Sequence, residues 1–192
     1  EIDRNTALHG LVFNVPWRTV EHTDAKLVQS VVVYEQPGWP GVVECTVTHE
    51  LGADGLTVTV GATNRGADAI PFGYAAHPYL STGEQQIDDV EITLPASQYL
   101  VVDAERLLPI EIADVTGTPY DLRGGKPLGD VVLDTAFTGL PDGWEVVLRH
   151  GDAETVMWGD QTRTWIQVYT SGGRDMLAVE PMTCGPDTFN EG

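Results

Sequence analysis

TWIQVYTSGGRDMLAVE, residues 164–180, is two strands and a loop. In Thr164–Thr170 the apolar Ile166 and Val168 point one way, and Trp165, Gln167 and Tyr169 point the other. That period-two alternation marks a β-strand with one face in a core. SGGR at 171–174 supplies the loop, and Asp175–Glu180 alternates again, Leu177 and Val179 against Ala178 and Glu180. The two strands pair naturally across that loop as an antiparallel hairpin.

The same signal spreads outward from the hairpin. Leu27–Glu35, Val42–Leu51, Gly55–Thr63, Ile87–Leu94, Gln98–Val102, Val131–Thr138, Trp144–His150 and Glu154–Gly159 all read as strands rich in β-branched or alternating apolar residues. In Gly55–Thr63, Leu56, Val58 and Val60 alternate with Thr57 and Thr59, which predicts a half-buried antiparallel strand. GWPG at 38–41, Asp54-Gly55 and Asn64–Asp68 are turn signals. Ala104–Pro109 predicts one helical turn, and the Gly- and Pro-rich Thr116–Gly129 a long connection. No stretch keeps helical periodicity over three turns, and strands recur at roughly the 8–12-residue spacing of sandwiches. The fold class expected is all-β, built from antiparallel sheets packed as a sandwich.

Composition excludes several functions. The 192 residues carry 29 acids against 10 bases, a formal net charge of −19. A field of that sign repels nucleic acid and anionic membrane, and disfavours a phosphorylated or acidic substrate. No apolar run is long enough to span a bilayer, and no signal-peptide pattern opens the chain. Cys45 and Cys184 stand outside any metal-like spacing and allow at most one disulfide. The expectation is an acidic protein of a reducing compartment, cytoplasmic, a monomer or homodimer.

Two stretches carry chemistry. In Pro71–Leu80, PFGYAAHPYL, Pro78 holds His77 in an extended conformation. Alternation then sends Phe72 and Tyr74 toward a core, and Gly73, Ala75 and His77 toward an open floor. In the second stretch Glu180 stands beside Ala178 at the end of an apolar strand, again with a proline next, Pro181. A lone histidine is more often a hydrogen-bonded core residue, and a lone strand-end glutamate a solvated one. The repeated design argues instead for an acid and a base brought together in one cleft. Gln167, a carboxamide between Trp165 and Tyr169, suits a sugar: aromatic rings stack on its apolar face while the amide binds hydroxyls.

HPYL after NRG…PFGYAA, and LAVEPMTCGPDTFN after WIQVYTS, resemble the aldose 1-epimerases, or galactose mutarotases. NTALHG at 5–10, followed by Pro16-Trp17, resembles an earlier block of that family, and LDTAF at 133–137 a fourth. The blocks keep the family's order and run nearly end to end. The resemblance implies the antiparallel β-supersandwich, with residues 1–192 a single domain equivalent to the C-terminal two-thirds of the family's full domain. The family's upstream Asn-Arg pair has no match here, and Arg4 does not take its place. By resemblance Glu180 takes the C1 hydroxyl proton, His77 protonates the ring oxygen, His9 hydrogen-bonds near that oxygen, and Asp134 accepts from sugar hydroxyls. The chemistry calls for no metal, nucleotide or other cofactor, and the partner implied is a small neutral sugar. A hexose-6-phosphate 1-epimerase, with Arg65, Arg123, Arg163 or Arg174 on the phosphate, is the alternative within isomerases. A non-catalytic carbohydrate-binding module is the alternative outside them. Residues outside the blocks are given structural work: His22, His49 and His150 at the surface or in packing, Trp17, Trp39, Trp144 and Trp158 in the core, and Asp187 at the corner after Pro186.

Overall fold

The computed structural model describes residues 4–5, 9–83 and 86–191. They form two compact units, Glu1–Phe72 and Gly73–Gly192.

The first unit is an antiparallel meander of β1 (Arg18–His22), β2 (Lys26–Val33), β3 (Val43–Gly52) and β4 (Gly55–Asn64), hydrogen-bonded in chain order. Ala53 and Asp54 make the β3–β4 turn, and Gly55 at φ +111° supplies the backbone conformation that a side chain would oppose. Val33, Val43 and Cys45 form its buried hydrophobic cluster, packed by Val12, Trp17, Val31, Trp39 and Ile70. β4 is the expected antiparallel strand, but of its alternating apolar residues only Val60 is half-buried. Leu56 is 60% exposed and Val58 45%, because the apolar contacts gather at the Val33–Val43 end of the sheet and do not reach theirs. β1 was not anticipated, since RTVEH has little apolar pattern and every one of its residues is exposed.

The second unit is a two-layer sandwich. One sheet has six strands in the order β5 (Tyr79–Leu80), β14 (Leu177–Met182), β13 (Trp165–Thr170), β10 (Asp134–Thr138), β7 (Gln98–Val102) and β8 (Pro109–Asp114). The other has four: β12 (Ala153–Trp158), β11 (Glu145–His150), β6 (Glu91–Thr93) and β9 (Lys126–Pro127). Every strand pairing among the described residues of this unit is antiparallel, as the alternation predicts. Phe137, Ile166, Val168, Leu177 and Val179 from the larger sheet meet Ile92, Leu94, Val146 and Leu148 from the smaller in one buried cluster. These are the inward halves of the alternating strands, and their burial is the main stabilising term.

The expected helical turn over Ala104–Pro109 is limited to one hydrogen-bonded turn, closed between Asp103 and Leu107. Leu107 N–H donates to the Asp103 carbonyl at 3.0 Å, the Asp103 carboxylate accepts from the amides of Glu105, Arg106 and Leu108, and after Leu107 at φ +58° the chain continues as β8. A carboxylate that accepts from the first free amides of a turn caps it, and the positive φ of Leu107 stops it after one turn. β8 was not anticipated, although Ile110 and Ile112 alternate with polar or small residues; both are exposed at the sheet edge. Trp144 is buried, but Trp158 is 60% exposed, against the core role expected of it. Thr188–Glu191 is a single helical turn, α1, entered through Asp187 at φ +60°, whose carboxylate accepts from the Asn190 amide group.

Candidate active site

The hairpin of β13 and β14 places Gln167 directly opposite Glu180, and Tyr169 opposite Ala178. On the far side of β13, Asp134 of β10 pairs with Tyr169 and Ala136 with Gln167. Residues opposite one another in a ladder share a face. One face of three adjacent strands therefore carries Asp134, Gln167 and Glu180, while Phe137, Ile166 and Val179 fill the core behind. Gln167 Nε2 donates to Asp134 Oδ1 at 2.8 Å, which joins two of the expected sugar-binding side chains into one hydrogen-bonding unit.

His77 arrives from the other side of β14. The Leu80–Leu177 and Tyr79–Ala178 pairs of β5 and β14 continue in register through the Ala75–Met182 bridge, so His77 lies opposite Glu180. The rungs on either side are the hydrogen-bonded ones: Ala76 N–H donates to the Pro181 carbonyl and Val179 N–H to that of Pro78, each at 3.2 Å. Each of these rungs pairs a residue with a proline, so neither can form the reciprocal bond. His77 and Glu180 form a non-hydrogen-bonded pair, the type in which facing side chains come closest. His77 Nε2 stands 3.3 Å from Glu180 Oε1, with side-chain exposures of 34% and 12%. The Tyr79 ring, 5.1 Å away, lies against the imidazole.

Glu180 is the only carboxylate among the described residues that is buried. Its pKa is pushed up to about 6, first by burial; the His77 charge pulls it down and the Asp134 carboxylate pushes it up. Burial disfavours the charged form, and a neighbouring anion adds to that. The result is a carboxylate still ionised at neutral pH but a better proton acceptor than an exposed one.

Pro71–Leu80 behaves differently from its expected reading in two respects. Phe72 is exposed rather than directed into a core. Gly73 does not leave an open floor: a Cβ there would lie 2.6 Å from Cys184 Sγ and 3.6 Å from the Phe189 ring. The glycine lets the segment approach the 183–189 corner closely, and its φ is not in the left-handed region. Gly73→Ala should therefore destabilise the protein by about 1–3 kcal/mol, the usual cost of overpacking. Adding Cys184→Ala should recover most of that loss in a thermal melt, and no recovery would mean that the cost lies elsewhere. Both cysteines are free thiols.

His9 belongs to the first unit. It lies at φ +59°, exposed, with its ring 5.1 Å from that of Phe13 and edge-on to it. Thr6–Leu8 of its block fall outside the described residues. Trp165 and Tyr169 flank Gln167 as expected and are half-buried, with Trp165 packed on Leu100, Ala136 and Met182. Sequence reasoning missed Tyr79, two residues from His77 with its ring against the imidazole, and Thr183, which meets the His77 segment only through strand register.

Comparison with known proteins identifies the family. The family model described as Aldose 1-epimerase matches residues 2–191. The chain is 30% identical over 195 residues to the uncharacterized protein YihR of Escherichia coli (strain K12), an alignment that covers 100% of this chain and 63% of that protein. It is 35% identical over 109 residues to the galactose mutarotase of Homo sapiens, covering 55% of this chain and 31% of that one. The chain thus spans less than two thirds of the length of these relatives. Among solved structures, a putative aldose 1-epimerase from Escherichia coli K12 superposes with a TM-score of 0.78 at 24% identity, over 94% of this chain and 62% of that one. The GalM/aldose epimerase homologue from C. elegans does so with a TM-score of 0.74 at 22% identity, over 86% and 58%. These two likenesses establish the galactose mutarotase-like fold. With the family model matching residues 2–191 and the same fold in both solved structures, the chain belongs to the aldose 1-epimerase family.

Proposed function

We propose that this chain interconverts the α and β anomers of a free, neutral hexose, with His77 and Glu180 as the acid–base pair. The observation that carries this reading is the 3.3 Å contact between His77 Nε2 and Glu180 Oε1 on the face that also presents Asp134 and Gln167. In a pyranose, O1 and O5 are bonded to the same carbon. Groups that serve both must stand close together, as these do, and part to admit the sugar's edge. Glu180 takes the proton from the O1 hydroxyl as the imidazolium of His77 gives one to O5. The C1–O5 bond breaks, its electron pair going to O5, and the C1–O1 bond becomes the aldehyde carbonyl. Rotation about C1–C2 and closure with the proton transfers reversed yield the other anomer. The two residues exchange protonation states on opening and are restored on closing, so nothing is consumed. Asp134 and Gln167 bind the hydroxyls.

The charge pattern favours a neutral sugar over a phosphorylated one. Arg123 is bound to Asp121 and Thr116, Arg174 to Asp88 and two carbonyls, and Arg65 to Glu44. Arg163 lies over the Tyr74 ring, 4.8 Å from its centre.

Polarimetry tests the reading. Fresh α-glucose or α-galactose should reach its equilibrium rotation faster with the protein than with buffer, and glucose 6-phosphate should gain much less. Sugar binding without acceleration would make this a carbohydrate-binding module, and neither binding nor acceleration would remove the sugar altogether. The acid limb of kcat/KM, which reports the free enzyme, should fall near pH 6 as Glu180 takes up its proton.

A further inference from the structure

We propose that Thr183 is a positioning residue that sets the His77–Glu180 distance by clamping the His77 segment to β14. The proposal rests on the acid–base reading above. Residues 74–80 run along the free edge of the six-stranded sheet, with β14 as their neighbour. An edge segment is held by one ladder only. Here that ladder is weakened where the chemistry sits, because Pro78 and Pro181 each remove one amide from the rungs that bracket His77 and Glu180.

The next rung, Tyr74 with Thr183, makes up the deficit in an unusual way. Thr183 N–H donates to the Tyr74 carbonyl at 2.9 Å, as a strand would. The reciprocal bond does not go to the Thr183 carbonyl, because β14 ends at Met182 and the chain turns into the Cys184-Gly185-Pro186 corner. That carbonyl accepts from Thr164 Oγ1 instead, at 3.5 Å. Tyr74 N–H donates to the Thr183 hydroxyl oxygen at 2.8 Å, and the hydroxyl lies 3.3 Å from the Tyr74 carbonyl, to which it donates. One side chain thus completes both halves of a rung. Gly73, immediately before it, allows the close approach that the bond needs, since Cys184 Sγ occupies the space of a Cβ. Three residues on, the segment delivers His77 to Glu180.

Losing the hydroxyl should let the segment lift from β14. A displacement on the order of 1 Å at a catalytic group can cost as much as about 10²-fold in rate. Lifting also admits water to Glu180, which is faced by His77 and Tyr79 from the segment, Asp134 from β10, and Gln167 and Tyr169 from β13. Burial is the leading cause of its raised pKa, so hydration lowers it.

Thr183→Val, which keeps the shape and removes the hydrogen bonds, should lower kcat about 10-fold or more with KM within about twofold. The acid limb of its pH profile should move below that of the wild type, and Thr183→Ser should restore both. A role in stability alone would lower the melting temperature and leave the acid limb where it was. Wild-type kcat and acid limb in Thr183→Val would overturn the clamp. Two measurements stand apart from turnover. In the wild-type protein the Tyr74 amide should exchange with solvent as slowly as the amides of Ala76 and Val179, and fast exchange would overturn the clamp even if the valine variant failed to fold. NMR titration of the Glu180 carboxyl in Thr183→Val should give a lower midpoint than in the wild type, and an unchanged midpoint would also overturn it. A wild-type protein inactive on every sugar would refute the acid–base reading, while these two measurements would still decide whether Thr183 holds the segment.

Discussion

Glu180→Gln is expected to slow anomer exchange by about 10²–10⁴-fold, the range for removing one general acid–base group. The amide keeps the size and a hydrogen-bonding oxygen, but cannot take the O1 proton. Sugar affinity should change little, because Asp134 and Gln167 are untouched and joined to each other. The same substitution should stabilise the fold at alkaline pH. Glu180 has a folded pKa of about 6 against an ordinary value of 4.5, so the native state binds this proton more tightly than the unfolded chain does. Stability therefore falls as pH rises from the unfolded toward the folded value, and the cost is fully present above about pH 6. At about 1.36 kcal/mol per unit, a shift of this size corresponds to about 2 kcal/mol, and solvent screening at the partly open site reduces it to about 1 kcal/mol. The glutamine variant should thus melt higher than the wild type at pH 8 and lose that advantage at pH 4. Wild-type polarimetric rates in Glu180→Gln would end its role as base, and a lower melting temperature at pH 8 would contradict the burial argument.

Phe137→Ala carries the largest expected effect on the fold. Phe137 is fully buried on β10, opposite Tyr99 of β7, with the Tyr120 ring 6.3 Å away and edge-on. It lies in the layer where the six-stranded sheet meets the four-stranded one. Truncation of a buried Phe costs about 3–5 kcal/mol in transfer and cavity terms. Because β10 also carries Asp134 and pairs with β13, the loss should reach the site as weaker sugar binding. Urea unfolding followed by tryptophan fluorescence measures the first effect, and calorimetric titration with galactose the second. A stability loss below about 1 kcal/mol would mean that Phe137 is not part of the tightly packed layer.

The sequence alone settles the β13–β14 hairpin, where the local period is strongest. Ile166, Val168, Leu177 and Val179 alternate with polar or small neighbours, so the β13–β14 hairpin and the face shared by Gln167 and Glu180 follow from the pleat. The family's ordered blocks named the residues worth examining, His77 and Glu180 first among them. Alternation does not say what covers a face. Leu56 and Val58 have the pattern of half-buried residues and are exposed, while Phe72, expected inside, lies outside. Nor can it reveal a register between segments about a hundred residues apart. His77 meets Glu180, and Tyr74 meets Thr183, only because the β5–β14 ladder runs in one frame, and a slip of one residue would turn every side chain to the other face. The raised pKa of Glu180 is likewise a tertiary quantity, since desolvation sums over whatever distant groups the fold packs around a charge.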